Sequence, residues 1–376
     1  MIDKKIKIVA PDAQNREIMN TCKKLWENNF DDTAKYVKYY FDDRWKESIT
    51  FLCDDKSMLH LNPYDIKLFG EKKTIFYIVG VCTDKEYRHK GYMDFMLKTV
   101  FGKLYNENVP FVYLMPASEK IYTPYGFRGM YNVTSFKALK REDGGKVYND
   151  CIESCDIKEF DDLSEREKIE LSKYAAMKLE REFECFVDRD NSYFEHKNKE
   201  MKACEGSVLI LMRDGEVMGY AMYLCEDEPE VVEMVADKEY TDIFVEKLFD
   251  YAANDTENKA AEMKIIFDES YFIKEQNKSF AFFISEENTG KMLMARIIDI
   301  RAFVGMIKLK GCAEEYYVEI TDDFIKENNG RWDMILSDKS VIKSGKSHKN
   351  KYQKLTIAEF GDMLFSKIKF YLNEMV

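Results

Sequence analysis

Four adjacent residues, Arg88-His89-Lys90-Gly91, put two fixed cations, an imidazole and a glycine at one point of the chain. Before them runs the apolar, β-rich segment Thr74–Thr83. After them Met93, Met96, Leu97, Val100 and Leu104 recur at helical spacing. A strand, a short loop and a helix leave unpaired amide groups at the helix start, where the helix dipole adds about half a positive charge. Gly91 lets the backbone approach an oxygen closely. The chemistry expected here is the binding of a phosphate-bearing group. The loop is too short for a GxxxxGK[ST] nucleotide loop and lacks the spacing of a GxGxxG turn. His89 reads as a loop residue beside the phosphates and not as a base.

A second set of residues could handle protons and cations. Tyr122 and Tyr125 lie in the turn-rich run Tyr122-Thr123-Pro124-Tyr125-Gly126-Phe127, after Ser118 and Glu119. With 24 tyrosines in the chain, a phenol in such a turn by itself usually packs, and Ser118 could cap a helix instead of reacting. Asp31 and Asp32 stand just before the aromatic run Tyr39-Tyr40-Phe41 and could line an acidic amine pocket. Glu119 and Glu374 are similar candidates. A solvated face is the alternative for each. No CxxC pair occurs among the nine cysteines, and the four histidines are far apart, so no metal site and no Cys/His nucleophile are expected. Idle thiols in a reducing compartment are the better reading.

The surrounding elements must hold these groups. Residues 14–28 and 33–46 read as helices, and Ser48–Cys53, Ile66–Phe69, Thr74–Thr83, Pro110–Leu114 and Val133–Leu139 as strands. Residues 141–145 read as a boundary loop. The plan then repeats: a hairpin turns at Asp214-Gly215, a strand covers Val231–Val235, and Asp237-Lys238-Glu239-Tyr240 copies Asp84-Lys85-Glu86-Tyr87. The second copy continues Thr241-Asp242-Ile243-Phe244. It lacks the cations and the glycine, and Asp242 would repel an anion. Only the first copy is expected to hold a phosphate. A smaller third unit follows, with a strand at Tyr317–Ile320, a turn at Asn328-Asn329-Gly330 and a lysine-rich hairpin tip over 343–354.

Composition narrows the class. The chain has 376 residues, 45% hydrophobic and 34% charged, with six prolines and 17 glycines. That is globular material for two or three domains. No apolar run reaches the roughly 18 residues of a membrane span. Residues 1–5 lack the apolar core of a signal peptide, so a cytoplasmic protein without a membrane partner is expected. The net charge of −12 argues against nucleic acid as a partner and is compatible with a cationic substrate.

Val79-Gly80-Val81-Cys82-Thr83, then Arg88-His89-Lys90-Gly91-Tyr92-Met93, resembles the acetyl-CoA motif of GCN5-related N-acetyltransferases (GNAT). That motif commonly reads R/Q-x-x-G-x-G/A, and Met93 departs from its last position. Ser118-Glu119-Lys120-Ile121-Tyr122-Thr123-Pro124-Tyr125-Gly126-Phe127 narrows the resemblance to the Eis (enhanced intracellular survival) branch. The implied fold is α/β (α+β): two tandem GNAT-like mixed-sheet domains and a small sterol-carrier-like α+β domain, with boundaries at 1–148, 149–290 and 291–376. Acetyl-CoA is the implied cofactor. Val81 and Thr83 would pair with its pantetheine arm, and Arg88, Lys90, Gly91, Tyr92 and Met93 would surround the pyrophosphate. Tyr122 matches the general acid of the branch. The C-terminal carboxylate, here on Val376, matches its base. The implied substrate is a primary amine on a polycationic small molecule, such as an aminoglycoside or polyamine. A peptide lysine is the alternative within the class, and a non-catalytic acyl-CoA or lipid carrier the alternative outside it. Members are often oligomers, some hexameric.

Overall fold

The computed structural model describes residues 4–11, 15–140, 154–255, 262–267, 282–311, 313–345 and 351–374. Three sheets organise them: one of nine strands, one of seven and one of four. Mixed pairing and helices on the sheet faces make the fold α/β, as expected.

The first sheet begins with Ile6–Val9, Ile49–Cys53, Ser57–Leu68 and Glu71–Thr83 in antiparallel order. Phe111–Leu114 then joins Glu71–Thr83 in parallel. The crossover between these two is the helix Tyr92–Asn106, which buries Met96, Leu97, Val100, Phe101 and Leu104 on one face of the sheet. Parallel neighbours require such a crossover. The other face is covered by the helices Arg16–Glu27 and Ala34–Asp42, each with a side-chain cap, from Asn15 and Thr33 respectively. The second helix ends at Asp42, and a 3₁₀ turn over Arg44–Lys46 replaces the rest of the expected helical run.

The second sheet also combines a hairpin with a parallel pair. Its hairpin, Ser207–Arg213 with Glu216–Leu224, turns at Asp214 and Gly215, both with positive φ. Glu230–Ala236 pairs in parallel with Glu262–Phe267, and the helix Thr241–Asp255 follows the repeated tetrapeptide. The four-stranded sheet of the third unit holds Glu314–Thr321, Gly330–Leu336, Val341–Ser344 and Gln353–Thr356. It packs with the helix Ile357–Phe365, whose capping box joins Thr356 and Glu359.

The sheets do not follow the expected boundaries. Val133–Lys140, placed in the first unit by sequence, lies between Glu262–Phe267 and Phe282–Gly290 in the second sheet. In return, Met294–Ile297 crosses to the first sheet and pairs with Phe111–Leu114 and Arg128–Gly129. Cys185–Val187 and Phe370–Tyr371 also extend the first sheet. Alternating hydrophobicity identifies a strand and its buried face, but not the sheet that strand joins.

Candidate active site

The parallel pair at the centre of the first sheet parts early. Phe76 faces Val112 and Tyr77 faces Tyr113, and the register ends there. The strand Glu71–Thr83 runs on for six more residues, paired on its other side with Ser57–Leu68. Its backbone toward Phe111–Leu114 is therefore open over Ile78–Thr83, an edge onto which an extended amide-bearing chain could add. Gly80 marks a bulge in this stretch: it holds φ +64°, and the register with the neighbouring strand slips between Met58 and His60.

The open edge leads into Arg88–Gly91. Gly91 takes φ +73° and precedes the first helical residue, and no side chain caps this helix start. The first backbone bond of the helix runs from Phe95 N–H to the Gly91 carbonyl at 3.2 Å, so the amides of Tyr92, Met93 and Asp94 lie ahead of the ladder. His89 also has positive φ, +60°, which bends the loop tightly. Arg88 is anchored: Nε donates to the Thr83 carbonyl at 3.2 Å and Nη2 to Asn29 Oδ1 at 2.7 Å. Lys90 and Lys56 both lie over the Tyr87 ring, at 4.8 and 4.1 Å, and Lys4 over the Tyr92 ring at 5.0 Å. An added Cβ at Gly91 would stand 3.2 Å from Lys4 Nζ. The corner thus joins unpaired amides to four cations, which suits a diphosphate. Lys4 and Lys56 arrive from distant sequence, and no local pattern flags them.

The expected cofactor residues fall along this edge and corner, with two differences of detail. Tyr92 offers only its backbone, because its side chain is buried beneath the helix. The Thr83 carbonyl is already taken by Arg88, and the Thr83 hydroxyl lies 2.7 Å from that of Ser57.

Tyr122 closes the short helix Glu119–Tyr122, beside Ser118, which makes no side-chain cap. It shares a packed cluster with Ile78, Met96 and Leu114, and its ring meets Phe127 edge-on at 5.8 Å. Burial, helped by Tyr125, pushes the phenol up to about 12, so it keeps its proton at neutral pH. The turn behind it is held by a residue the sequence did not single out as a site residue. Arg296, fully buried, donates to the Tyr125 carbonyl at 2.6 Å and to both Asp322 oxygens at 2.7 and 2.8 Å. Its guanidinium lies over the Phe101 ring at 4.5 Å. Gly126, at φ +83°, is required there because a Cβ would strike that guanidinium.

The acidic candidates separate. Asp31 and Glu119 are exposed. Asp32 is exposed too, and its carboxylate accepts from the Trp26 indole at 2.6 Å. Tyr40 and Phe41, expected at the substrate pocket, are instead core residues. Tyr40 is completely buried and donates to Asn62 Oδ1 at 3.0 Å. Helical spacing turned both rings inward with Tyr36 and Val37.

Glu374, expected at the substrate, is instead sealed inside the chain. Arg189 lies 3.1 Å and Lys197 3.0 Å from its carboxylate, and the Tyr193 hydroxyl donates at 2.9 Å. Glu233 pairs with Arg189 at 2.9 Å, and Glu200 with Lys197 at 2.9 Å. Burial pushes Glu374 up, but Lys197 and Arg189 outweigh it and hold the carboxyl below its ordinary range. Glu200, buried with one cation, stays above it. With its charge compensated by Arg189 and Lys197 and no carboxylate surface exposed, Glu374 offers nothing to a cationic ligand from solvent. Val376 lies outside the described residues.

The second copy lacks the same apparatus. The helix Thr241–Asp255 starts directly after Tyr240, so the four loop residues are missing. Burial pushes Asp242 in its first turn up to about 6. Beyond the Val231–Ile265 pair, where the parallel register ends, Asn373 donates to the Val232 carbonyl at 2.8 Å.

Residues 11–130 match the family described as an acetyltransferase (GNAT) domain. No curated protein matches the chain in sequence. Solved structures share the fold along nearly its whole length. A probable N-acyltransferase from Enterococcus faecalis V583 superposes with a TM-score of 0.74 at 19% identity, over 96% of this chain and 90% of that one. A GCN5-related N-acetyltransferase from Kribbella flavida gives 0.71 at 14%, over 96% and 90%. Eis1 from Mycobacterium abscessus gives 0.63 at 11%, over 95% and 88%. Among the described residues no helix is long and apolar enough to cross a membrane. The domain match, on a segment that carries the open strand edge and the cationic corner, makes this chain an acyltransferase with a GNAT domain and acetyl-CoA as its cofactor.

Proposed function

We propose that the chain is an N-acetyltransferase acting on a primary amine of a small polycation, aminoglycoside- or polyamine-like, in the cytoplasm. The observation that carries this reading is the open backbone of Ile78–Thr83 running into the uncapped helix start at Gly91. Val81 and Thr83 would align the pantetheine arm. Arg88, Lys90 and the amides of Tyr92 and Met93 would hold the pyrophosphate. Bound acetyl-CoA supplies the acetyl thioester; the remaining work falls to the chain's own groups.

Tyr122 keeps a proton on its hydroxyl and is the proposed acid for the leaving sulfur. The acceptor must lose a proton first. A lysine-like amine of pKa ~10.4 costs about 4–5 kcal/mol to neutralise at pH 7. The terminal carboxylate on Val376 is the proposed acceptor of that proton, by resemblance alone. The exposed Asp31 and Asp32 would draw the cation in, while the screened Glu374 would not. The Eis-like plan of tandem acetyltransferase domains with a sterol-carrier-like third domain, and a hexameric assembly, belong to the same proposal.

The test is release of coenzyme A from acetyl-CoA with a panel of mono-, di- and polyamines and a lysine peptide. Turnover highest with small polyamines supports the reading. Turnover confined to the peptide makes the chain a peptide acetyltransferase, and cofactor binding without any turnover makes it a carrier.

A further inference from the structure

Trp26 joins the loop over residues 28–33 to the strand edge described above. Its indole Nε1 donates to the Asp32 carboxylate at 2.6 Å. The ring is 3% exposed and rests on Gly80: a Cβ there would stand 2.7 Å from Trp26 Cζ3 and 2.9 Å from His60 Cδ2. Gly80 is the bulge of the open strand, so the indole and the bulge are in direct contact.

The ring cannot swing away. Tyr40 stands 4.6 Å from it, Phe30 5.2 Å, Phe41 5.7 Å and His60 6.1 Å, ring centroid to centroid. His60 is fixed in turn by a 2.8 Å contact between Nδ1 and the Thr50 hydroxyl. Close packing of this kind transmits displacement instead of absorbing it.

Asp32 differs from its neighbour Asp31 in being held by the Trp26 indole. It is exposed, and no ion pair to a cation of the chain is found for it among the described residues. An exposed carboxylate ordinarily samples several rotamers, and ordering it costs entropy. Here a buried donor on a rigid ring fixes it in advance. A charge held ready, exposed and unpaired, at a set place relative to the cofactor strand is what recognition of a second ammonium group requires.

We propose that Trp26 is a positioning residue for the acceptor: it sets the Asp32 carboxylate relative to the Gly80 bulge, so that Asp32 binds one ammonium of a diamine while the other amine meets the thioester. This rests on the amine acetyltransferase reading above. The reaction is unchanged: the neutral amine nitrogen bonds to the acetyl carbon, the carbon–sulfur bond breaks, and the amine proton leaves to a base.

The experiment compares 1,5-diaminopentane with pentylamine as acceptors for the wild type, W26F, D32N and the double variant. The wild type favours the diamine through KM. D32N and W26F each raise the diamine KM about three- to tenfold, change the pentylamine KM far less, act on KM more than on kcat, and do not add in the double variant. Proportional loss for both amines, or full additivity, overturns the proposal and leaves Trp26 a packing residue. Absence of turnover with every amine removes the acetyltransferase reading itself, and this one with it. W26F removes core volume, so a second measurement uses the intact protein. The chain has three tryptophans, hence three indole N–H resonances. The Trp26 resonance should shift on titration with diaminopentane, and neither with pentylamine nor in D32N; no shift with the diamine contradicts the proposal.

Discussion

Tyr77 and Tyr113 face each other across the parallel strands, with ring centroids 5.1 Å apart, and they are the last pair those strands make. The proposed cofactor groups all lie beyond this pair: the free edge of Ile78–Thr83, the Gly80 bulge and the corner at Gly91. The same parting recurs in the second sheet after Val231 and Ile265, without the loop that would bind phosphate.

Replacing Tyr122 with phenylalanine should lower kcat about a hundredfold and leave coenzyme A affinity unchanged, because a positioned acid contributes that order of rate. With its pKa near 12, Tyr122 should impose no falling limb on the pH–rate profile below about pH 10. Stopped-flow kinetics and calorimetry separate the two effects; an unchanged kcat takes Tyr122 out of the mechanism.

Gly91→Ala should weaken coenzyme A binding about tenfold. An alanine at φ +73° costs roughly 1–2 kcal/mol, and its Cβ presses on Lys4. Arg88→Ala should weaken binding too and reduce its salt dependence, since one cation fewer faces the diphosphate. Calorimetric titration at two ionic strengths reads both. Equal affinities for the variants and the wild type would place the phosphates elsewhere.

His60 makes stability fall in mild acid. Burial pushes its imidazole down to about 3, whereas the unfolded chain titrates near 6.5. Between those values only the unfolded state takes the proton, so this contribution is complete above about pH 6.5 and lost as pH falls toward 3. By pH 5 the loss is about 2 kcal/mol. His60→Asn should flatten this part of the profile. Urea unfolding at pH 7.5 and pH 5 checks it, and an identical slope in the variant contradicts it.

Lys197→Met should destabilise the protein by about 3–5 kcal/mol, because it leaves Glu374 and Glu200 buried beside each other with one cation fewer. Adding Glu374→Gln should recover part of that loss, since the amide needs no counter-charge. Denaturant midpoints of the single and double variants decide this. A double variant weaker by the full sum would mean that the two groups do not interact.

The corner at Arg88–Gly91 was legible because its signal is local: a β-rich run, a glycine with cations, then helical spacing. The recurrence of Asp84–Tyr87 at Asp237–Tyr240 was legible for the same reason, and both copies form a 3₁₀ turn between strand and helix. Tyr40 and Phe41 misled because aromatic residues near acids look alike in a pocket and in a core, and only packing tells them apart. The exchange of Val133–Lys140 for Met294–Ile297 could not be read, since pairing partners far apart in sequence leave no periodic trace. Arg296, Lys197 and Arg189 escaped for a related reason: a lone cation looks solvated until its distant carboxylate is known.

Hydrogen exchange on the intact protein with and without coenzyme A tests the central claim most directly. The account predicts that coenzyme A slows exchange at the amides of Val79–Thr83 and of Tyr92–Asp94, with the second sheet and the helix Thr241–Asp255 unaffected. Protection that appears at the second copy, or that misses the Gly91 corner, would contradict it.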